Sequence, residues 1–455
     1  MSAPPILTPM DIRTIPRPPR ELPRKLGLLD STSIVVGTII GSAIFLVPSS
    51  IAQNIHSVRV ILAIWVLAGV ISMFGALAYA ELGAMMPVSG GQYVYLTEAW
   101  GPLWGFLCGW TFFLVARSGA TAAVAAGFAT YLSQFVPMSP AASKGAAAAL
   151  ILVLTLVNYR GVRLGATVQN IFTGLKLLGL LLLIGSTIPG NPHATLSQPV
   201  QTSELSIAQF GAALVACIFA YNGWFVIGMV DSEVTNPKRN LPRAIILGVT
   251  VVTVLYVLAN VGFMRTLTID EIAGTERVAE AAATRTMGAI GATFVALTIL
   301  ASTVGAANST IMTAPRLYFA QARDGLFFRP FGNIHPAFET PHISLLGSGI
   351  WSAILALTGS YSQLVSYATF MFWVLYGVTV AGLIVLRRTR ADAFRPYRMF
   401  GYPVTPVLFI GTAGLVAIFA LISAPVTSII GLLILLTGVP VYYVWRFWIR
   451  QNRAT

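Results

Sequence analysis

Twelve stretches of this chain are too long and too apolar to be housed in a water-soluble fold. A helix rising about 1.5 Å per residue needs roughly 20 apolar residues to cross about 30 Å of hydrocarbon. Runs near that length fall at about 28–54, 60–86, 103–135, 145–159, 163–188, 207–231, 241–265, 287–321, 342–358, 361–386, 403–423 and 426–448, the fourth and ninth being short. Of the 455 residues, 56% are hydrophobic and only 9% charged, and the mean hydropathy is +0.79. These runs leave no room for a separate soluble domain. The expected fold is an all-α polytopic membrane protein with 12 transmembrane helices.

A net charge of +13 raises the question of a nucleic-acid partner, and the placement of the basic residues answers it. Of 28 Lys and Arg, Arg117 and Lys176 lie in mid-span. With the N-terminus inside, 21 of the others fall in cytoplasmic segments, and five (Arg59, Lys144, Arg265, Arg277 and Arg285) fall on the other side. That asymmetry is the positive-inside bias of a multi-pass protein, so both termini are expected in the cytoplasm, the location is a plasma (inner) membrane, and the partner of the charge is the lipid bilayer, with no nucleic acid. Residues 1–25 are rich in Pro and Arg, lack the short apolar core of a cleaved signal, and read as a disordered cytoplasmic tail. Cys108 and Cys217 both fall inside spans and read as small apolar core residues.

Two of the spans carry breaks. In the first, Gly41, Ser42 and Ala43 lie near mid-bilayer, Gly41 being 13 residues from Leu28, roughly 20 Å along the helix. In the sixth, Phe219-Ala-Tyr-Asn-Gly-Trp224 stands at a similar depth. Lipid offers no partner to a freed backbone group, so a broken helix is tolerated only where it lines a protein-enclosed cavity. Such breaks are how secondary transporters build a midplane site, positive half-helix ends facing an anionic group. One break enters from each side, five spans apart, which suggests an inverted repeat: residues 26–390 as a core of ten helices and 391–455 as two added helices with a short cytoplasmic end. An unbroken first helix that uses its small residues for packing is the plain alternative.

Arg117 and Lys176 must face protein or water, because a cation at the bilayer centre costs roughly 2.5–3.5 kcal/mol on insertion scales. No Asp or Glu lies in mid-span, so carbonyls freed by the breaks are the expected acceptors. Arg117 fits a gate or simple helix packing. So does Glu81, expected near the cytoplasmic face, and Asn308 within the small, polar Gly305-Ala-Ala-Asn-Ser-Thr310. There is no zinc-like histidine spacing, no mid-membrane carboxylate pair and no phosphate-binding G-x-x-x-x-G-K-[ST]; the chain is expected to be no enzyme, with no cofactor, no metal and no ATP-driven transport.

Six segments in order, Val36-Gly-Thr-Ile-Ile-Gly-Ser-Ala-Ile-Phe45, Ser89-Gly-Gly-Gln-Tyr-Val-Tyr, Gln169-Asn-Ile-Phe-Thr-Gly-Leu-Lys176, Phe219-Ala-Tyr-Asn-Gly-Trp224, Asn236-Pro-Lys-Arg-Asn-Leu-Pro-Arg-Ala-Ile and Arg316-Leu-Tyr-Phe-Ala-Gln-Ala-Arg-Asp-Gly, resemble the amino acid, polyamine and organocation superfamily. The resemblance is nearest to its L-type amino acid transporter branch and runs from about Lys25 to Arg388. It implies a LeuT-type 5+5 inverted repeat with discontinuous helices 1 and 6. It places the substrate, an L-amino acid, between Ile39, Ile40, Gly41, Ser42 and Ala43 on one break and Phe219, Ala220, Asn222, Gly223 and Trp224 on the other. The backbone at Gly41 to Ala43 would receive the carboxylate, carbonyls around Phe219, Ala220 and Asn222 the ammonium, and Phe219 would gate the site from outside. Lys176 matches the lysine that replaces a sodium ion in sodium-independent relatives, with Gly37 and Ser309 as neighbours.

The chain departs from the pattern at Ala43, where glycine is usual, and at Asn222, where glycine or aspartate is common. A narrower pocket floor points to small or medium neutral substrates. The resemblance thus implies a sodium-independent antiporter working by alternating access. A proton-coupled symporter or facilitator with Lys176 as the titrating group is the alternative, and a non-transporting membrane sensor a lesser one. Val136-Pro-Met-Ser-Pro140 lacks the cysteine by which animal light subunits bond a heavy chain, so no disulfide-linked heavy chain is expected.

Overall fold

A computed structural model of the chain describes residues 21–188, 206–359 and 361–454, and the elements it contains are helices. Helices α1 (Leu28–Ile39) and α2 (Ala43–Ala52) flank the first break, and α3 (Val58–Met85) follows. A short α4 (Gln92–Trp100) precedes α5 (Pro102–Thr111), which passes through a π-helical turn at Phe112–Ala116 into α6 (Arg117–Leu132). Next come α7 (Pro140–Tyr159), α8 (Val162–Ser186) and α9 (Ile207–Ala220), the last separated by a turn from a 3₁₀ segment, Val226–Glu233. After α10 (Pro237–Thr266), the short α11 (Ile269–Ala273) and α12 (Val278–Met287) lead to the long α13 (Ala289–Arg323), then α14 (His342–Thr358), α15 (Tyr361–Thr389), α16 (Val404–Ser423) and α17 (Pro425–Ala454). Among the described residues ten segments are long and apolar enough to cross a bilayer, and Ile207–Ala220 and His342–Thr358 are shorter apolar helices.

Helix α8 shows what solvent the fold was built for. Its exposed side chains include Leu164, Ile171, Leu175, Leu178, Leu181 and Leu182, while Gln169, Thr173 and Lys176 are buried. In water that amphipathic pattern is reversed; in lipid the polar groups must turn inward to find partners. The protein is a multi-pass membrane protein.

Ion pairs and main-chain bonds gather on the side where the described chain begins. Buried Arg316 donates to buried Glu233 (Nε to Oε1, 2.7 Å) and to Met312 O at 2.6 Å. The amides of Lys25 and Leu26 both donate to Glu233 O (2.8 and 2.9 Å), Thr235 N returns to Leu26 O (2.8 Å), and Lys25 Nζ reaches Glu339 at 2.6 Å. Of the expected disordered tail, residues 1–20 lie outside the described residues. Leu22, Lys25 and Leu26 are not tail: Leu22 and Leu26 are buried, because Glu233 O and Thr235 N offer the chain a partner.

Gly27 precedes α1, and Asp30 in its first turn accepts from Gly27 N (2.8 Å) and from Asn170 Nδ2 (2.7 Å). Glu81 is buried in a paired cluster. It is 0% exposed and accepts from Arg387 Nη2 (2.5 Å), Arg387 Nε (2.9 Å) and Met399 N (2.8 Å), with Arg395 beside it, tying α3 to the end of α15 and the segment beyond.

Removing one member of a buried ion pair strands the other charge. Glu233→Gln is expected to cost about 3–5 kcal/mol, whereas Glu233→Gln combined with Arg316→Met recovers most of it. Thermal unfolding of the purified protein in detergent checks this, and equal losses in both variants would contradict it.

Candidate functional site

The last carbonyls of any helix lack donors one turn ahead, and at α1 three other helices supply them. Lys176 Nζ on α8 donates to Gly37 O (2.8 Å) and Ile40 O (2.7 Å), and also to Ser302 O on α13 (2.9 Å). Ser302 Oγ lies within hydrogen-bonding distance of Ile40 O (2.8 Å) and Gly41 O (3.1 Å). Tyr256 Oη on α10 stands 3.0 Å from Ile39 O. Ile40 itself is extended (φ −75°, ψ 91°), so the helix stops there. Beyond the gap, Ser42 supplies no side-chain cap to α2, and the first amides of α2 have no carbonyl a turn behind them. Gly41, Ser42 and Ala43 are half-buried, and a Cβ built on Gly41 would meet nothing within 4 Å. The first break therefore has satisfied carbonyls on one end and open amides on the other.

The second break comes against the first. Gly223 has φ +133°, a backbone region that glycine enters without strain, and a Cβ there would lie 2.8 Å from Thr38 Cγ2 and 3.1 Å from Ile39 N. No side chain fits between the two breaks at this point. The Tyr256 hydroxyl lies 3.2 Å from Ala220 O as well as 3.0 Å from Ile39 O, so one proton serves both helix ends. Phe219 O accepts from Asn222 N (3.1 Å), and Asn222 Oδ1 accepts from Tyr376 Oη (2.8 Å). Phe219 and Asn222 are half-buried, as are Gly41 to Ala43.

The expected residues do not all take part alike. Ile39 and Ile40 are buried and present their carbonyls, not their side chains. Trp224 lies within an aromatic cluster: it is 1% exposed, packed edge-on against Tyr79 (5.0 Å between ring centroids) and Phe409 (5.8 Å) and tilted on Tyr376 (5.4 Å). The turn after Gly223 rotates it into this aromatic cluster. Ser309 is not among the acceptors of the Lys176 ammonium; its hydroxyl bonds to Thr38 Oγ1 and lies 3.3 Å from Ile34 O, holding α13 to α1. The contact expected of it is made by Ser302, about two turns earlier on α13. Gly305 lies between the two serines, where an added Cβ would stand 3.2 Å from both Lys176 Cε and Nζ, so glycine leaves room for the ammonium.

Asn308 is fully buried in an amide network. Its Nδ2 donates to Gly165 O and Gln169 Oε1 (both 3.0 Å), and its Oδ1 accepts from Asn158 Nδ2 (2.8 Å). Gln169 Nε2 continues it to Ser33 O (3.2 Å), linking α7, α13, α8 and α1. Arg117, 3% exposed, takes no carbonyl from either break. It donates to Thr313 Oγ1 (3.2 Å) and stacks its guanidinium 5.3 Å from the Phe225 ring centroid. Tyr256 and Ser302 were not anticipated, since a tyrosine or serine within a span carries no pattern of its own.

The fold and site define a polytopic helical membrane protein whose irregular backbone is confined to a protein-lined interior. The chain belongs to the amino acid permease family, whose model matches residues 26–446. It is 36% identical over 416 residues to the human (Homo sapiens) b(0,+)-type amino acid transporter 1, covering 90% of this chain and 84% of that protein. Over 443 residues it is 35% identical to the mouse (Mus musculus) large neutral amino acids transporter small subunit 2, covering 94% and 82%.

Tyr256→Phe removes the donor that Ile39 O and Ala220 O share; Ile39 O keeps the Gly41 amide (2.9 Å), and an expected loss of about 1–3 kcal/mol follows from leaving Ala220 O buried without that bond. Thermal unfolding in detergent reads this directly. A variant as stable as the parent would show that the hydroxyl does not join the two breaks.

Proposed function

We propose that the chain is a sodium-independent antiporter of small or medium neutral L-amino acids, working by alternating access in a plasma (inner) membrane with both termini in the cytoplasm. The observation that carries this is the Lys176 ammonium on Gly37 O, Ile40 O and Ser302 O, a cation fixed to the chain at the point where α1 loses its regular bonding. A site so filled needs no soluble sodium to hold the broken end of α1. Family membership and the names of the relatives support an amino-acid substrate.

In this reading the chain makes twelve crossings, counting α1 with α2, α5 with α6, and α9 with its 3₁₀ segment as one each. Residues 26–390 form a LeuT-type 5+5 repeat and 391–455 add two helices. The open amides at Ser42 and Ala43 receive the substrate carboxylate, aided by the positive end of α2. The second lone pairs of Phe219 O and Ala220 O, with Asn222, receive the ammonium, and Phe219 closes over it. Ala43 and Asn222 narrow the side-chain pocket. Asn308 stiffens the frame, and Arg117 braces the 3₁₀ side of the second break through Phe225. Cys108 and Cys217 are buried, which supports a carrier without a disulfide-linked heavy chain. The second reading is a proton-coupled symporter or facilitator, favoured by the fact that all three acceptors of Lys176 are neutral carbonyls.

In proteoliposomes, uptake is expected to require internal amino acid and to be indifferent to sodium. Uptake into empty vesicles driven by a pH gradient would instead select the proton-coupled reading. Alanine, serine or threonine should show a higher kcat/KM than tryptophan, and the reverse order would remove the proposed size preference. Lys176→Ala leaves Gly37 O without a donor, at about 1–3 kcal/mol, while Ile40 O keeps the Ser302 hydroxyl, and is expected to lower uptake more than about tenfold; unchanged kinetics would take the ammonium out of the mechanism.

A further inference from the structure

On the side where the described chain begins, a groove of about 300 Å³ opens between the end of α3, the start of α10 and the segment that follows α15. Its walls combine two chemistries. Lys238 and Arg390 bring charge, while Met85, Met86 and Phe394 bring apolar surface. Arg390 pairs with Glu98 but keeps further N–H donors, since a guanidinium has five. Lys238 Nζ stands 5.2 Å from the Phe394 ring centroid, and that ring is 73% exposed. Phe400 is 82% exposed and Val404 61%.

The groove lies at the ends of spans. The apolar run of α3 stops at Met85, and Lys238 is the second residue of α10. Exposed aromatic rings beside cations at such a level match the interface between acyl chains and headgroups. Below it, Leu247, Val251 and Val254 on α10 are exposed apolar residues, a surface along which an acyl chain can lie.

We propose that this groove binds one anionic phospholipid, its phosphate between Lys238 and Arg390 and its glycerol and upper acyl carbons against Met85, Met86 and Phe394. A free phosphate would use the cations and leave the apolar wall unused. A zwitterionic choline headgroup would set a second cation beside Lys238. The anionic lipid alone uses every surface of the groove. Bound there it bridges α3, α10 and the segment after α15, the same segment whose Met399 amide is held by Glu81.

The test is thermal unfolding of the full chain in detergent, titrated with phosphatidylglycerol or phosphatidylcholine. Wild type is expected to be stabilised at a lower mole fraction of phosphatidylglycerol than of phosphatidylcholine. At about fivefold in affinity per basic residue, Lys238→Gln reduces that preference about fivefold while leaving the Arg390 pair in place. Lys238→Gln with Arg390→Gln abolishes it. Arg160→Gln with Arg163→Gln, which removes two exposed charges at the turn from α7 into α8, keeps it. Preference retained in both groove variants, or lost equally in the Arg160 and Arg163 variant, overturns the site in favour of a diffuse field. Stabilisation by millimolar inorganic phosphate to the same extent overturns the lipid as its occupant.

Discussion

The contact on which the interior depends is the one between Lys176 and the freed end of α1. A carbonyl released at a helix end costs several kcal/mol in hydrocarbon if nothing donates to it. A buried ammonium is just as unfavourable without acceptors. Set together, the two faults remove each other. Gly37 O, Ile40 O and Ser302 O satisfy all three N–H groups of the ammonium, and the first break becomes compatible with a dry surrounding. The gap and the lysine are one device, and Gly305 is the space cleared for it.

The second break is held by different means. Its carbonyls receive no charge; Ala220 O shares the Tyr256 hydroxyl with Ile39 O, and Gly223 lets the backbones touch. Charge appears farther along, where Glu233 meets Arg316 and the Lys25–Leu26 strand. The side chains from Trp224 to Asp231 are buried, whereas Phe210, Leu214 and Phe219 on α9 are only partly so. The segment beyond Gly223 is thus fastened by ion pairs, rings and main-chain bonds, while α9 is fastened mainly by apolar packing. Apolar packing has no preferred partner, and ion pairs in a dry interior do.

That difference also explains what could be read from the chain alone. The spans were legible because lipid imposes length and hydropathy on each one separately. Both breaks were legible as small residues at mid-depth, and so was Lys176, because a charge there demands a reason. Choosing Ser302 over Ser309 requires the crossing of α1 and α13, and the two positions lie on nearly the same helix face, seven residues apart. Glu81 reads as interfacial because hydropathy ends nearby; its three donors come from residues 387–399, over three hundred positions away. Trp224 reads as a pocket residue by adjacency, but the rotation of the chain after Gly223 is a tertiary fact. Tyr256 leaves no trace, since a span tolerates a tyrosine wherever its hydroxyl finds an oxygen.

The arrangement of donors and acceptors gives each break its polarity. At the first break every carbonyl described is already engaged, by Lys176, Ser302 or Tyr256, so that end offers no acceptor strong enough to compete for a cation. What it offers is the unshielded start of α2, a region of partial positive charge. At the second break α9 ends in carbonyls, and the donors described there are neutral: the Tyr256 hydroxyl at Ala220 O and the Asn222 amide at Phe219 O, with the Tyr376 hydroxyl donating to Asn222 Oδ1. The two breaks thus differ in polarity, the first presenting the amides that begin α2 and the second the carbonyls that end α9.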